Sequence, residues 1–252
     1  MGLNLSNGNM YKFVGYTWNP IKGKCLHDCS YCYMKQINPN ANPPRLAEYE
    51  LNTDLGCGRS IFIGSSTDMF AEDIPSEWIA RVLDYCYQNR NMLLPNAYLL
   101  QSKNPKRFLE FINHPIMERV VFCTTIETNR FYPEIMNKAP RIEERVEAME
   151  EIARLGRPTM VTAEPLMQFD HEEMVSFIRK MQPQVGEHRK KLLQENCTAR
   201  AYPRRSPATH CGTGIVCQCE RERQRFDMAQ VTAEKESWRK PAIWRNPTFA
   251  FY

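Results

Sequence analysis

The sequence predicts an α/β fold: a partial, open TIM-like (β/α) barrel of about five to six parallel strands, followed by an irregular C-terminal tail. Two observations support this prediction. Short apolar runs that suit strands buried on both faces recur along the chain, and amphipathic helical segments separate them. Polar residues follow the runs, and α/β barrels place their binding loops at the carboxyl ends of the strands.

Strands and helices alternate along the first part of the chain. The strands are predicted over residues 11–18, 60–63, 97–102, 120–126 and 159–164. The helices are predicted over residues 75–89, from Asn104 onwards, over residues 142–155, and after Asp170. Asn104 and Asp170 are typical N-caps, and Gly156 is typical of the position after a helix C-terminus. Such an order forms parallel βαβ units with right-handed crossovers.

Length and composition are those of a soluble globular protein with one barrel-sized domain. The chain has 252 residues, of which 42% are hydrophobic and 25% are charged. Its first residues lack the basic segment and apolar run of a secretory signal, and no apolar run approaches the roughly 20 residues that span a bilayer. We therefore expect a cytoplasmic protein with no membrane partner, whose 10 cysteines stay reduced.

Three cysteines, Cys25, Cys29 and Cys32, lie close together after the first predicted strand. Cysteine thiolates bind [4Fe–4S] clusters, and three ligands leave one of the four irons open to a small chelating molecule. Two alternatives remain. Zinc accepts mixed sets of cysteine and histidine, so His27 could complete a structural zinc site. Neighbouring thiols could also form a disulfide, although this is rare in reducing compartments.

The Cys-x3-Cys-x2-Cys pattern, with Tyr31 before its last cysteine, resembles the cluster loop of radical S-adenosylmethionine (SAM) enzymes. In that superfamily the open iron binds SAM, an electron from the cluster cleaves it, and a 5′-deoxyadenosyl radical abstracts hydrogen from the substrate. The flanking residues 18–20 and Tyr33 are similar to a narrower, uncharacterised phage-associated family that is distantly similar to spore photoproduct lyase. This resemblance runs over about residues 16–183.

The resemblance implies a [4Fe–4S] cluster on the three cysteines and SAM beside it. It places these further residues around SAM or the substrate: Tyr31, Ser65, Ser66, Thr67, Asp68, Ser102, Lys103, Thr125, Glu127 and Glu164. Residues 65–68 would receive the SAM amino group, and Tyr31 would lie near the adenine. Each of these polar residues at the strand ends could equally cap a helix or form a salt bridge. The expected partners are a reducing electron donor, such as a flavodoxin or ferredoxin, and a substrate that the sequence does not identify, for which the similarity to spore photoproduct lyase suggests a nucleic acid.

The chain divides into a radical SAM partial-barrel domain, residues 1–183, and a basic, cysteine-containing tail, residues 184–252. Residues 1–183 carry 20 basic and 22 acidic side chains, whereas the tail carries 13 and 7. No strand-like run follows residue 184, so the sixth barrel strand is predicted to be missing and activity to be compromised. Three interpretations of the tail remain open. It is a divergent, poorly folded end, a basic nucleic-acid-binding extension, or a metal knuckle built from Cys197, His210, Cys211, Cys217 and Cys219.

A rival hypothesis for the whole chain is a phage-encoded nucleic-acid-binding protein whose metal site only stabilises the fold. A further question concerns Cys123 in the fourth predicted strand. Its thiol could donate a hydrogen atom to a product radical, or it could be a buried small hydrophobic residue.

Overall fold

The computed structural model describes residues 2–6, 11 and 13–181, and the backbone of residues 215–216. The strands are β1 (Asn4–Leu5), β2 (Tyr16–Trp18), β3 (Ile21–Lys22), β4 (Arg45–Leu46), β5 (Ser60–Ile63), β6 (Ala97–Gln101), β7 (Val120–Thr125), β8 (Thr159–Thr162) and β9 (Ile215–Val216). The α-helices are α1 (Met34–Ile37), α2 (Ser76–Gln88), α3 (Pro133–Met136), α4 (Ile142–Arg154) and α5 (His171–Lys180). Short 3-10 helices span Glu48–Asn52, Pro105–Phe111 and Pro115–Arg119.

The main sheet has seven strands in the order β1-β2-β5-β6-β7-β8-β9. β1 is antiparallel to β2, and every other neighbouring pair is parallel. β3 and β4 form a separate antiparallel pair. Strands β5 to β8 follow one another in sequence and in space, with helical segments between them. The predicted α/β fold, an open partial barrel of parallel strands, is confirmed.

The sheet is buried on both faces, as the apolar runs predict. On one face, residues such as Leu100 and Phe122 pack with the helices in the larger core cluster. On the other face, Leu99, Val121 and Cys123 pack with Tyr11 in a smaller cluster. Adjacent residues of a strand point to opposite faces, so β5, β6, β7 and β8 each contribute to both clusters. Cys123 therefore packs as a small side chain within an apolar cluster, which agrees with the packing interpretation of this residue.

The observed elements differ from the sequence predictions mainly in the length of the first strand and in the capping of two helices. β2 is shorter than the predicted strand over residues 11–18. Asn104 and Asp170 precede helices, but neither side chain caps its helix. The Asn104 amide donates to Glu72, and the Asp170 carboxylate accepts from Arg130. For Asp170, a donor distant in sequence thus takes the place of the local helix N–H groups.

The sixth parallel barrel strand is present, which corrects the prediction that it is missing. β9 pairs with β8 in parallel, with Val161 opposite Ile215 and Thr162 opposite Val216. A two-residue strand is too short to produce the alternation by which strands are predicted from sequence, and the free edge of β8 provides its partner. The remainder of the tail, including the knuckle residues, lies outside the described residues. No described helix is long and apolar enough to cross a membrane.

Gly23 holds a backbone conformation that other residues rarely adopt, directly before the cysteines. Its φ is +123°, and a Cβ atom there would lie 2.5 Å from the Pro43 carbonyl oxygen. Gly156 also has a positive φ, +72°, but a Cβ atom there would meet nothing within 4 Å. A comparison of alanine substitutions at the two glycines therefore distinguishes the cost of backbone strain from the cost of a steric clash.

We expect Gly156→Ala to cost about 1–2 kcal/mol of unfolding free energy, from left-handed strain alone. Gly23→Ala should cost at least about twice as much, because backbone atoms of the neighbouring segment must also move. Urea unfolding of both variants measures the difference. Equal costs would show that the segment before the cysteines adapts freely to an added side chain.

Candidate active site

The cysteine loop, residues 25–32, lies beside the residues that follow β5. Asn19, just after β2, donates to Ser65 Oγ over 3.2 Å and accepts from Ser66 Oγ over 3.0 Å. Thr67 Oγ1 donates to the Gly23 carbonyl oxygen over 2.7 Å. The carboxyl ends of parallel strands meet at one edge of a sheet, so the loop lies where α/β barrels carry their sites.

The three cysteines of the loop form no disulfide bond, and neither do the other cysteines among the described residues. The disulfide alternative is therefore not supported. Burial, and then the nearby Asp68 carboxylate, raise the pKa of the Cys25 thiol to about 12. Burial also raises the pKa of the Cys29 thiol, against the attraction of Lys103. Both thiols are thus protonated at neutral pH, and a metal that binds them must displace the protons.

The donor atoms of the loop do not converge in this structure. Across the described ranges, no three Cys, His, Asp or Glu side chains are arranged so that they could hold a metal ion. The donor set itself, three free thiols on one short loop, has the chemistry that an iron–sulfur cluster requires. The thiols fit a cluster by type and position, and their convergence would have to accompany metal binding.

Asp68 connects the cysteine loop to the end of β6. The Nε2–H group of His27 donates to Asp68 Oδ2 over 2.8 Å, and both side chains are largely buried. The same oxygen accepts from Ser102 Oγ and from the Lys103 backbone N–H, each over 2.9 Å. Burial alone would raise the pKa of the Asp68 carboxyl, but His27 and the hydrogen bonds lower it. In the zinc alternative, only Nδ1 of His27 would remain for the metal.

A second buried group lies around Glu127, just after β7. Its carboxylate accepts from the Tyr31 hydroxyl and pairs with the Lys103 ammonium group. Arg145, from α4, donates to Glu127 Oε2 over 2.8 Å and to the Thr125 carbonyl oxygen over 2.9 Å. Glu127 and Arg145 are fully buried. Burial raises the pKa of Glu127, but Lys103 and Arg145 outweigh burial and bring this pKa to about 2.

This group carries more positive than negative charge close to the cysteine loop. Two cations, Lys103 and Arg145, share one carboxylate. The Lys103 ammonium also lies 5.0 Å from the centre of the Tyr31 ring. Both cations act on the Cys29 thiol and favour its thiolate form. The arrangement suits an anionic group bound at the loop.

A third polar group lies on the face of the sheet that carries Cys123. The Tyr11 hydroxyl donates to Gln101 Oε1 over 2.8 Å, and Gln101 Nε2 donates to Thr125 Oγ1 over 3.1 Å. Thr162 on β8 donates to Thr125 Oγ1 over 3.2 Å. Glu164 is half-buried and follows β8. Burial raises the pKa of Tyr11, and the negative charge of Glu164 adds to this shift.

The structure thus brings the ten predicted binding residues together only in part. Tyr31, Lys103 and Glu127 form one group, and Asp68 and Ser102 form another. Thr67 and Thr125 are buried and bonded within the protein.

Sequence reasoning missed Arg145, Asn19 and Gln101 as members of the site. A signal existed for Arg145, which falls among the apolar positions of its helix near Ile142 and Val146. An arginine at such a position requires a buried partner.

Comparisons with known proteins give a match only at the level of structure. No protein-family model and no curated protein sequence matches the chain. Three solved structures of spore photoproduct lyase match it, two with a substituted cysteine and one with a tyrosine replaced by phenylalanine. Each has a TM-score of 0.53, at 11–12% sequence identity. The likeness shows the fold alone. The matches cover 75%, 77% and 83% of this chain, but only 62%, 65% and 67% of the lyase chains.

Proposed function

We propose that this protein is a radical SAM enzyme. The observation that carries the proposal is the cysteine loop: three free thiols on one loop, at the carboxyl end of a parallel sheet. The fold likeness to spore photoproduct lyase supports the same superfamily, and the sequence motif is typical of it. The narrower phage-associated family remains part of the proposal. The chain covers less than two thirds of the first matched lyase structure, so we do not attribute the activity of that enzyme to this protein.

Cys25, Cys29 and Cys32 would hold a [4Fe–4S] cluster and leave one iron open for SAM. When bound, the cluster and SAM supply an electron and a 5′-deoxyadenosyl radical that abstracts hydrogen from the substrate. The thiols lose their protons on binding, and Lys103 and Arg145 stabilise the negative charge that results. Solvent screens this attraction less than it would at the surface, because Arg145 is fully buried and Lys103 is mostly buried.

The remaining polar groups would position SAM and the substrate. Ser65 and Ser66 are partly exposed, and Asn19 fixes their hydroxyl groups beside the loop. Tyr31 is held against Glu127, which fixes its ring next to the last cysteine. The polar residues on the Cys123 face and Glu164 would then contact the substrate. We propose a nucleic-acid substrate and a flavodoxin or ferredoxin as electron donor, in line with the similarity to spore photoproduct lyase.

The test is reductive cleavage of SAM by the full chain. Protein purified without oxygen and reconstituted with iron and sulfide should contain about four irons per chain. Addition of dithionite and SAM should then yield 5′-deoxyadenosine, measured by chromatography and mass spectrometry. Protein without iron should yield none. A colourless preparation with one zinc per chain, or a fully loaded chain that forms no 5′-deoxyadenosine, would contradict the proposal.

The basic tail favours one other candidate, a nucleic-acid-binding protein with a structural metal. Residues 184–252 carry 13 basic and 7 acidic side chains, the kind of charge excess that binds phosphates. This candidate predicts DNA or RNA binding that weakens steeply with salt and does not depend on SAM. Binding of this kind by an iron-loaded chain that forms no 5′-deoxyadenosine would favour it over the radical SAM proposal.

A further inference from the structure

Asp68 lies between the cysteine loop and the strand ends, and its bonds differ from those expected of a SAM ligand. We propose that Asp68 is a positioning residue, which fixes the cysteine loop through the buried His27 side chain and does not receive the SAM amino group. This inference rests on the proposed function, because the loop matters as a cluster site. The contacts that hold the loop can, however, be tested by backbone hydrogen exchange without reference to SAM cleavage.

The Asp68 carboxylate is already occupied by protein donors. Oδ2 accepts from His27 Nε2, Ser102 Oγ and the Lys103 backbone N–H, over 2.8, 2.9 and 2.9 Å. Oδ1 accepts from the Phe70 backbone N–H over 2.9 Å. The side chain is 11% exposed. A carboxylate accepts hydrogen bonds at about four sites, and four protein donors already bond to the two oxygens of Asp68, so these buried bonds describe a structural link.

His27 is fixed from two sides by segments far away in the chain. Its side chain bonds to Asp68, and its carbonyl oxygen accepts from the Lys138 backbone N–H over 3.0 Å. The next residue, Asp28, has a φ of +55°, which marks a sharp turn between the first two cysteines. Contacts with residues 68 and 138 thus hold His27 in the first half of the loop, while the Ser30 backbone N–H, which donates to the Ile135 carbonyl oxygen over 2.9 Å, holds the second half.

Of the three cysteines, Cys25 is the one affected by both His27 and Asp68, whose side chains bond to each other. Burial and the Asp68 carboxylate raise the pKa of its thiol, whereas backbone groups of Asp68 and His27 lie close enough to its sulfur to lower this pKa. Loss of the bond between the two side chains would therefore release the segment that holds the first cluster ligand. The expected consequence is a more open loop and poorer retention of iron, with unchanged contacts to SAM.

The experiment measures backbone hydrogen exchange of residues 25–32 in the full, metal-free chain, by mass spectrometry. Asp68→Asn and His27→Gln should each speed exchange of this segment roughly tenfold, as expected for loss of a buried hydrogen bond to a charged group. The double variant should exchange no faster than Asp68→Asn alone, because His27→Gln removes only a bond that Asp68→Asn has already weakened. After reconstitution, both variants should retain less iron than the natural sequence.

A matched control is the surface pair of His114 and Asp84, whose side chains also bond, over 3.1 Å, with Asp84 56% exposed. Asp84→Asn should leave exchange of residues 25–32 unchanged. The inference fails if Asp68→Asn and His27→Gln behave as the control does, or if Asp68→Asn weakens SAM binding without altering exchange. If the Asp68→Asn variant does not fold, the exchange rate of residues 25–32 in the His27→Gln variant tests the inference in the same way. Natural protein that takes up no iron would overturn the proposed function while leaving the exchange result intact.

Discussion

Glu127→Gln is expected to lower the unfolding free energy by about 3–5 kcal/mol, the usual cost of removing one partner from a buried ion pair. The substitution leaves the shape of the side chain nearly unchanged but removes its negative charge. Lys103 and the fully buried Arg145 then face each other without a compensating carboxylate. Chemical denaturation at neutral pH measures the loss.

Two further variants make this result specific to the buried charge. Glu118→Gln removes a surface pair with Arg157, in which Glu118 is 68% exposed, and should cost less than about 1 kcal/mol. Arg145→Met introduced into Glu127→Gln should recover part of the loss, because it removes a buried charge that has no partner. If Glu127→Gln costs no more than Glu118→Gln, the site is more hydrated than its burial indicates.

The ion pairs of Glu127 with Lys103 and Arg145 also predict how the stability of the protein depends on pH. The pKa of Glu127 is about 2 in the folded chain, because Lys103 and Arg145 outweigh the effect of burial. In the unfolded chain it is about 4.3. The folded chain therefore binds this proton less readily, so the stabilisation is complete above about pH 4.3 and is lost as the pH falls towards 2. Glu127→Gln should flatten the stability profile across this range, compared with the natural sequence.

Sequence reasoning predicts the parts of this fold that depend on local pattern. β5 is observed with its predicted limits, and β6, β7 and β8 lie within theirs, since a strand buried on both faces requires a continuous apolar run. Helix α4 ends where Gly156 interrupts it. β9 could not be predicted in the same way, because its two residues pair with β8 through the backbone and need no pattern of their own.

The sequence motif of the candidate site was predictable, but the hydrogen bonds and ion pairs between its residues were not. The cysteine loop and the polar strand ends are visible as short runs of sequence. The bond between His27 and Asp68 joins residues 41 positions apart, and Arg145 reaches Glu127 from a different element. No local pattern specifies which donors fill the oxygens of Asp68. The sequence resemblance assigns Asp68 to SAM. Only the three-dimensional structure shows that Asp68 belongs to a network of hydrogen bonds within the protein.

Cys29→Ala is expected to abolish iron retention and the formation of 5′-deoxyadenosine, with at least about a 100-fold loss of activity. Removal of a neighbour of a metal ligand already costs up to about that factor. Cys29 is the buried member of the three, at 4% exposure, and burial raises the pKa of its thiol, against the positive charge of Lys103, which lowers it. Iron analysis and the SAM cleavage assay measure the loss on protein reconstituted in parallel with the natural sequence.

Cys86→Ala is the matched control for Cys29→Ala, because Cys86 is also buried but packs in the helical core on α2. Both variants lose a buried thiol and should lose a similar, small amount of stability. Only Cys29→Ala should lose iron and turnover. A metal that merely stabilises the fold would instead make Cys29→Ala far less stable than Cys86→Ala. The two cysteines therefore distinguish a cluster that performs chemistry from a metal that only holds the chain together.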